Sequence, residues 1–295
     1  MTRFSVPQSE PPRSPRQSLP TMYDLPSEDP EEPGLPDEFH ALQPQLLTRT
    51  FRSPRHSSER LFIGSDLNLY YNVRRPLWYK RPDWFLVLDV SRLYDDTDLR
   101  SSYVMWQEGV PPFVVVELLS PGTEAEDLGE NAALEPESVS ESEATAAPGE
   151  QISTQNGQTT QDTPPRKWDV YEQILRVPYY IVFSRYTNQL RFFQLVGGRY
   201  QEQPLDANNP RIWMTDLELG LGLWQGTFEG ITRQWMRWFD AHGDWIATDA
   251  EWALEQAEEE RQRAEEERQR ANQAEQQLEQ LLAKLRDRGI DPDSL

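Results

Sequence analysis

The residues of this chain that could do chemistry are two carboxylates, a lysine and a main-chain carbonyl. The run Phe113-Val114-Val115-Val116-Glu117-Leu118-Leu119 reads as a buried central strand with Glu117 in its middle. Asp83 follows Pro82 at the entry to a second apolar run, residues 84–88, and Lys167 opens the next helical segment. Two acids and a lysine at the edge of a sheet are the parts of a magnesium-dependent phosphodiesterase site. Mg²⁺, with Mn²⁺ as a substitute, takes hard oxygen ligands and needs only one or two carboxylates besides water and a substrate phosphate. Asp83 and Glu117 would hold the ion, with the carbonyl of Leu118 as a further ligand. Lys167 would orient the attacking water or stabilise pentavalent phosphorus. Leu119, two residues after Glu117, cannot do that.

Each residue also has a plainer reading. A buried carboxylate needs a metal, an arginine or a proton, so Glu117 could sit in a structural ion pair. Asp83 after a proline is an ordinary strand-entry residue. A lysine at a helix start is usually solvated. Gly220, Gly222 and Gly226 do not form a dinucleotide loop, and no phosphate-binding P-loop is present. His242, beside Gly243 and Asp244, reads as loop, and Trp235, Trp238, Trp245 and Trp252 as packing residues.

The elements that must position the site follow from apolar patterning. Residues 61–71 read as a strand, and 84–90 and 113–119 are continuous apolar runs, the pattern of strands covered on two faces. From Lys167 an amphipathic helix places Trp168, Tyr171, Ile174 and Leu175 on one face, stopped at Val177-Pro178. Residues 179–183 and 190–196 form a hairpin about Thr187-Asn188-Gln189, and Tyr200 opens an edge strand. The fold expected is α/β, a mixed central sheet flanked by helices.

Residues 1–44 are rich in proline and acids and read as disordered. The folded domain is expected over 45–248, interrupted by a flexible acidic insertion at 122–165. A long charged helix or coiled coil is expected over 249–288, with a tail at 289–295. Ala257, Ala264, Ala271, Leu278 and Leu285 recur every seven residues, but Glu260 and Glu267 spoil the early seam. A solvated single helix is the equal alternative.

The net charge of −21 is unevenly spread. Residues 22–40 hold seven acids and residues 122–165 hold ten, and neither stretch has a Lys or Arg. A basic cluster, Arg74, Arg75, Lys80 and Arg81, stands apart. The chain has no cysteine, which excludes disulfides and thiol chemistry. Its three histidines have no metal-binding spacing. No apolar run is long enough for a membrane span, so a cytoplasmic location is expected.

Several strings together resemble one family. They are Arg81-Pro82-Asp83, the stretch 103–113, Val116-Glu117-Leu118-Leu119-Ser120-Pro121-Gly122-Thr123 and Asp127-Leu128-Gly129. Lys167, Tyr171, Val177-Pro178, Tyr180, residues 195–200 and the tail 281–292 extend the match over most of residues 60–292. The chain thereby resembles the Uma-two family of restriction-type endonucleases, in the PD-(D/E)XK nuclease superfamily. The resemblance implies a restriction-endonuclease-like core, with Asp83 and Glu117 as metal-binding acids. It also implies that the family's lysine, moved from strand to helix, is Lys167, and that Asp127 is a recurrent acid.

The chain departs from the pattern in the roughly 37 residues from Glu130 to Arg166 and in the absence of an acid after Tyr180-Ile181-Val182-Phe183. For an early helical acid, Glu59 is the candidate. The expected partner is DNA, cut by a homodimer. The competing reading is a non-catalytic scaffold on a degenerate nuclease fold, binding protein partners through residues 250–288 and the acidic segments.

Overall fold

The structure, a computed structural model, describes residues 37–75, 77–120, 124–134 and 164–287. The chain divides into a unit ending at Trp245 and a second beginning at Ile246.

The core of the first unit is a six-stranded mixed sheet in the order β1 (Leu61–Gly64), β4 (Trp84–Leu88), β6 (Val114–Leu119), β7 (Tyr179–Ser184), β8 (Gln189–Val196), β9 (Arg199–Glu202). Every residue of β4, β6 and β7 is buried, as their unbroken apolar runs require. The parallel pair, β6 with β7, lies at the centre of the sheet; the other neighbours are antiparallel. The first three strands in this order come from before residue 135 and the last three from after residue 164.

The continuous strand expected over 61–71 is instead broken at Ser65–Asn68, where Asp66 adopts φ +50. Its second piece, β2 (Leu69–Tyr70), joins β3 (Tyr79–Lys80) and β5 (Tyr103–Val104) in a separate three-stranded sheet. A short helix, α2 (Met105–Glu108), follows β5.

Two parts of the first unit depart from expectation. Helix α1 (Glu38–Thr50) starts inside the segment read as disordered up to residue 44. It buries Phe39, Gln43, Leu46, Leu47 and Thr50, a helical stripe. The Gln43 amide donates to the Met236 carbonyl and accepts from the Met236 N–H, both at 2.9 Å, so a fully buried side chain is satisfied by main chain. The second is an antiparallel meander of β10 (Arg211–Met214), β11 (Leu219–Phe228) and β12 (Ile231–Phe239). Trp235 and Trp238 are buried, as read from sequence; Trp252 is 60% exposed and is not a core residue.

Two glycines of β11, Gly220 and Gly226, make room for rings. A Cβ on Gly220 would fall inside the Phe239 ring. Gly220→Ala is therefore expected to lower stability by about 1–3 kcal/mol in urea unfolding, part of it recovered by shrinking the ring with Phe239→Leu.

The second unit contains α5 (Asp249–Asp287). A capping box opens it: Thr248 N–H donates to Glu251 Oε2 at 2.7 Å, and Glu251 N–H donates to Thr248 Oγ1 at 3.2 Å. The expected i,i+4 pairs Glu259–Arg263 and Glu266–Arg270 are present. Leu278 and Leu281 are more than half exposed. No helix among the described residues is long and apolar enough to cross a membrane.

Candidate active site

Antiparallel register places Trp84 against Val116, so Asp83 and Glu117 emerge side by side at the end of the β4–β6 ladder. Asp83 N–H reaches Glu117 Oε2 at 3.4 Å, and Leu118 N–H donates to Asp83 Oδ2 at 2.7 Å. Glu117 is fully buried and Asp83 is half-buried.

Lys167 begins α4 (Lys167–Asp169), which runs into a π turn at Val170–Ile174. Its ammonium donates to Glu117 Oε2 at 2.9 Å, while the hydroxyl of Tyr171, one turn later, donates to Glu117 Oε1 at 2.7 Å. One helix face thus grips both oxygens of a single carboxylate. The π turn closes from Leu175 N–H to the Val170 carbonyl. That extra residue in the turn moves Ile174 off the buried face, leaving it 46% exposed, contrary to the face read from the sequence. Tyr171 and Leu175 are buried as expected.

The third carboxylate comes from α3 (Glu124–Leu128). Asp127 is buried and lies 3.1 Å from the Lys167 ammonium. Its main-chain oxygen accepts from the Tyr180 hydroxyl at 2.8 Å. The neighbouring Glu126 accepts from the Lys80 ammonium and from Lys167 N–H. Residues 124–134 are therefore packed structure and not part of a flexible insertion; residues 135–163 lie outside the described residues.

Asp83, Glu117 and Lys167, named from sequence as the site, meet in one cluster. Its electrostatics are unbalanced. Burial, with repulsion from Asp127 and Asp83, pushes the Glu117 carboxyl well above the ordinary carboxylate range despite Lys167. Burial also raises Asp83, against Lys167, His40 and the Leu118 N–H. Burial alone would drive Lys167 toward the neutral amine, but Asp127, Glu117 and Asp83 outweigh it, and its pKa stands well above the usual value. Lys167 is thus a permanent cation near neutral pH. Burial and the Glu117 charge hold the Tyr171 hydroxyl protonated, so it stays a donor.

Three carboxyl groups around one ammonium leave a deficit of positive charge, the electrostatic condition that favours a divalent cation. The donors are hard oxygens, which fits Mg²⁺ or Mn²⁺. Among the described residues no three His, Asp or Glu side chains form a metal-holding group of their own. Mg²⁺ does not need one, because water and substrate phosphate complete its shell.

The residue that sequence reasoning missed is His40. It is buried on α1, and its Nε2 lies 3.0 Å from the Leu118 carbonyl oxygen. A carbonyl only accepts, so Nε2 is the donor. Nδ1 lies 2.9 Å from Asp37 Oδ1, again an acceptor, so the ring donates from both nitrogens as an imidazolium. Burial pulls against that charge, but the Asp37 hydrogen bond, the Asp83 charge and the Leu118 carbonyl prevail and raise the His40 pKa. The Leu118 oxygen, expected to face a metal, is engaged by His40. Its second lone pair leaves the expected role open. His40 also lines a groove of about 400 Å³ with Pro44, Gln45, Ser65 and Asp66. The sequence candidate Glu59 is exposed in a 3₁₀ turn with no link to this cluster. The strand-end position after Ser184 carries Arg185, which pairs with Asp37 at 2.8 Å.

Asp37 therefore caps α1, accepting from the His40 N–H at 3.1 Å, and also anchors His40. Burial would raise its carboxyl, but the His40 and Arg185 interactions outweigh this and depress it below the ordinary 3.8. A depressed carboxyl contributes stability that is present above the unfolded pKa and lost as pH falls through the folded one. Asp37→Ala is expected to cost about 1–2 kcal/mol at pH 7. Thermal unfolding at decreasing pH should show that gap closing as the parent's Asp37 takes its proton.

Residues 15–143 match the Uma2 family model, described as putative restriction endonuclease; that family lies within the restriction-endonuclease-like superfamily. The match takes in Asp83, Glu117 and Asp127 and ends before Lys167. No curated protein matches the chain.

Proposed function

We propose, from the match of residues 15–143 to the Uma2 family model described as putative restriction endonuclease, that this protein is a divalent-metal-dependent endonuclease that hydrolyses phosphodiester bonds in DNA. The observation that carries the reading is the buried Glu117 carboxylate, held by Lys167 and Tyr171 and crowded by Asp83 and Asp127. A structural ion pair would need one acid for one lysine. Three acids for one lysine suit a site that takes a second cation.

Asp83 and Glu117 are the residues that would hold Mg²⁺ or Mn²⁺, with the Leu118 carbonyl as a further oxygen. When bound, the ion supplies Lewis acidity toward the phosphodiester oxygens. In hydrolysis a water oxygen bonds to phosphorus, the bond to the leaving oxygen breaks, and negative charge grows on the phosphoryl oxygens. Lys167 is the chain's own counter-charge to that growth. Because Asp127, Glu117 and Asp83 hold its proton in place, it acts as a donor and not as a base. Tyr171 fixes the rotamer of Glu117, and Leu118 N–H fixes Asp83. His40, anchored by Asp37, holds the strand end through the Leu118 carbonyl.

The test is calorimetric titration of Mg²⁺ or Mn²⁺ into the protein, beside a plasmid-nicking assay with and without chelator. Metal binding with chelator-sensitive nicking supports the reading; a protein that binds neither ion and leaves plasmid intact refutes it.

The apolar stripe of Ala274, Leu278, Leu281 and Leu282 on α5, exposed but for a half-buried Leu282, supports one addition, a homodimer joined through this helix. Sedimentation of the full chain and of Leu278→Glu/Leu282→Glu tests it: a dimer that becomes a monomer is expected, and an unchanged mass removes the helix from assembly.

A further inference from the structure

The three-stranded sheet β3–β2–β5 has one face in the core and one face open. Leu69 and Tyr103 are register partners and fully buried. Strand alternation sends their neighbours the other way. Tyr70 and Tyr79, register partners across β2 and β3, sit with ring centroids 5.4 Å apart. Trp106 of α2 joins them, 6.4 Å from the Tyr70 ring. The cluster is not covered: Tyr79 is 44% and Trp106 40% exposed. An aromatic surface of this kind, outside the core, needs an explanation.

Its surroundings supply one. Residues 69–81 contain Arg74, Arg75, Lys80 and Arg81 and no acid, in a chain of net charge −21. The Arg75 guanidinium lies over the Trp78 ring at 5.4 Å. Beyond the strands, Val73 and Leu77 are exposed at 64% and 83%. Positive charge interleaved with open rings complements a polyanion that has flat faces to stack.

The surface is also tied to the cluster of acids. The chain continues from β3 through Arg81 and Pro82 to Asp83, so three residues, four steps of about 13 Å in all when extended, separate Tyr79 from Asp83. Lys80 donates to Glu126, the carboxylate that also accepts Lys167 N–H. Arg81 pairs with Asp66 at 2.8 Å.

We propose that Tyr70, Tyr79 and Trp106 form a stacking platform for an unpaired nucleobase next to the scissile phosphodiester, with Arg74 and Arg75 on the flanking phosphates. The platform rests on the nuclease reading and narrows it to nucleic acid that is single-stranded or locally opened. A base in an intact duplex has its faces occupied by its neighbours; an unpaired one offers a face to the rings.

The experiment measures binding apart from cleavage. Fluorescence anisotropy in chelator at fixed low salt compares a labelled 12-mer strand with its blunt duplex, for the full-length protein and for Tyr79→Ala, Trp106→Ala and Tyr79→Phe. The single strand is expected to bind more tightly than the duplex. Each alanine variant should weaken single-strand binding about tenfold, the range for loss of one stacked base. Tyr79→Phe should keep it. Arg74→Gln should lower the salt dependence by about one counterion.

Alanine variants that bind the strand like the parent, or a parent that prefers duplex or binds neither, would overturn the platform. Plasmid nicking by the same proteins separates the two ideas. Nicking with unchanged strand binding keeps the nuclease and removes the platform. Strand binding lost in Tyr79→Ala, without nicking by the parent, keeps the platform and removes the nuclease.

Discussion

Glu117→Gln is expected to abolish DNA cleavage, by on the order of a thousandfold or more, while leaving the protein at least as stable as the parent. The two halves of this expectation come from one environment. Glutamine keeps an oxygen to accept from Tyr171 and the same volume in a fully buried position. It removes a charge that burial, Asp127 and Asp83 all oppose. Native states often hold such a destabilising group only where function needs it. Plasmid nicking with Mg²⁺ and a melting curve on the same preparation decide the matter. A variant that cuts like the parent would sink the assignment of Glu117. One that melts far below it would show that the carboxylate holds the fold together.

Lys167→Met should do the reverse and damage stability most. The Lys167 side chain is only 21% exposed, and its ammonium touches two buried carboxylates, at 2.9 Å and 3.1 Å. Removing one partner of a buried ion pair costs about 3–5 kcal/mol, because the acids left behind lose their counter-charge. The loss should be smaller in Lys167→Met/Glu117→Gln than the sum of the single effects, since the second change removes part of what the first leaves unpaired. Urea unfolding of the four proteins forms the cycle. Simple additivity would mean that the two groups do not interact energetically. Activity should vanish with Lys167 in either background.

Much of this site could be read from sequence. A carboxylate in a run such as Val114–Leu119 is so costly that its presence signals a partner, and antiparallel pairing brings Asp83 beside it. Lys167 was named beside them as the lysine opening the next helical segment and again through the resemblance, but nothing local marks a helix-start lysine as buried. His40 and Asp37 were hidden by their neighbourhood. Acids and prolines precede them, and Pro44 interrupts a helix whose buried stripe at 39, 43, 46, 47 and 50 is otherwise regular.

Asp127 was named only through the resemblance, as a recurrent acid; the acidic composition around it hid its burial, although Leu128 beside it is fully buried. The meander from β10 to β12 was missed because Gly220, Gly222 and Gly226 interrupt its apolar pattern. In the strand Gly220 and Gly226 are the spaces into which Phe239 and Trp224 fit. The exposed side of Ile174 could not have been foreseen, since a π turn breaks the period on which helical faces are read.

The seam between β6 and β7 divides the central sheet into two sets of three strands. One set brings Asp83 and Glu117, the other arrives with Lys167 and Tyr171. The acids and their lysine therefore belong to different stretches of polypeptide, joined in sequence through residues 135–163 and joined in space by a parallel ladder and one ion-pair cluster. A backbone cut between 135 and 163 would sever no strand pairing of the sheet and remove no member of the cluster. Under the proposed endonuclease function such a protein would work as two fragments, each inert alone and competent on reassociation, so that cleavage would report whether the pieces have met.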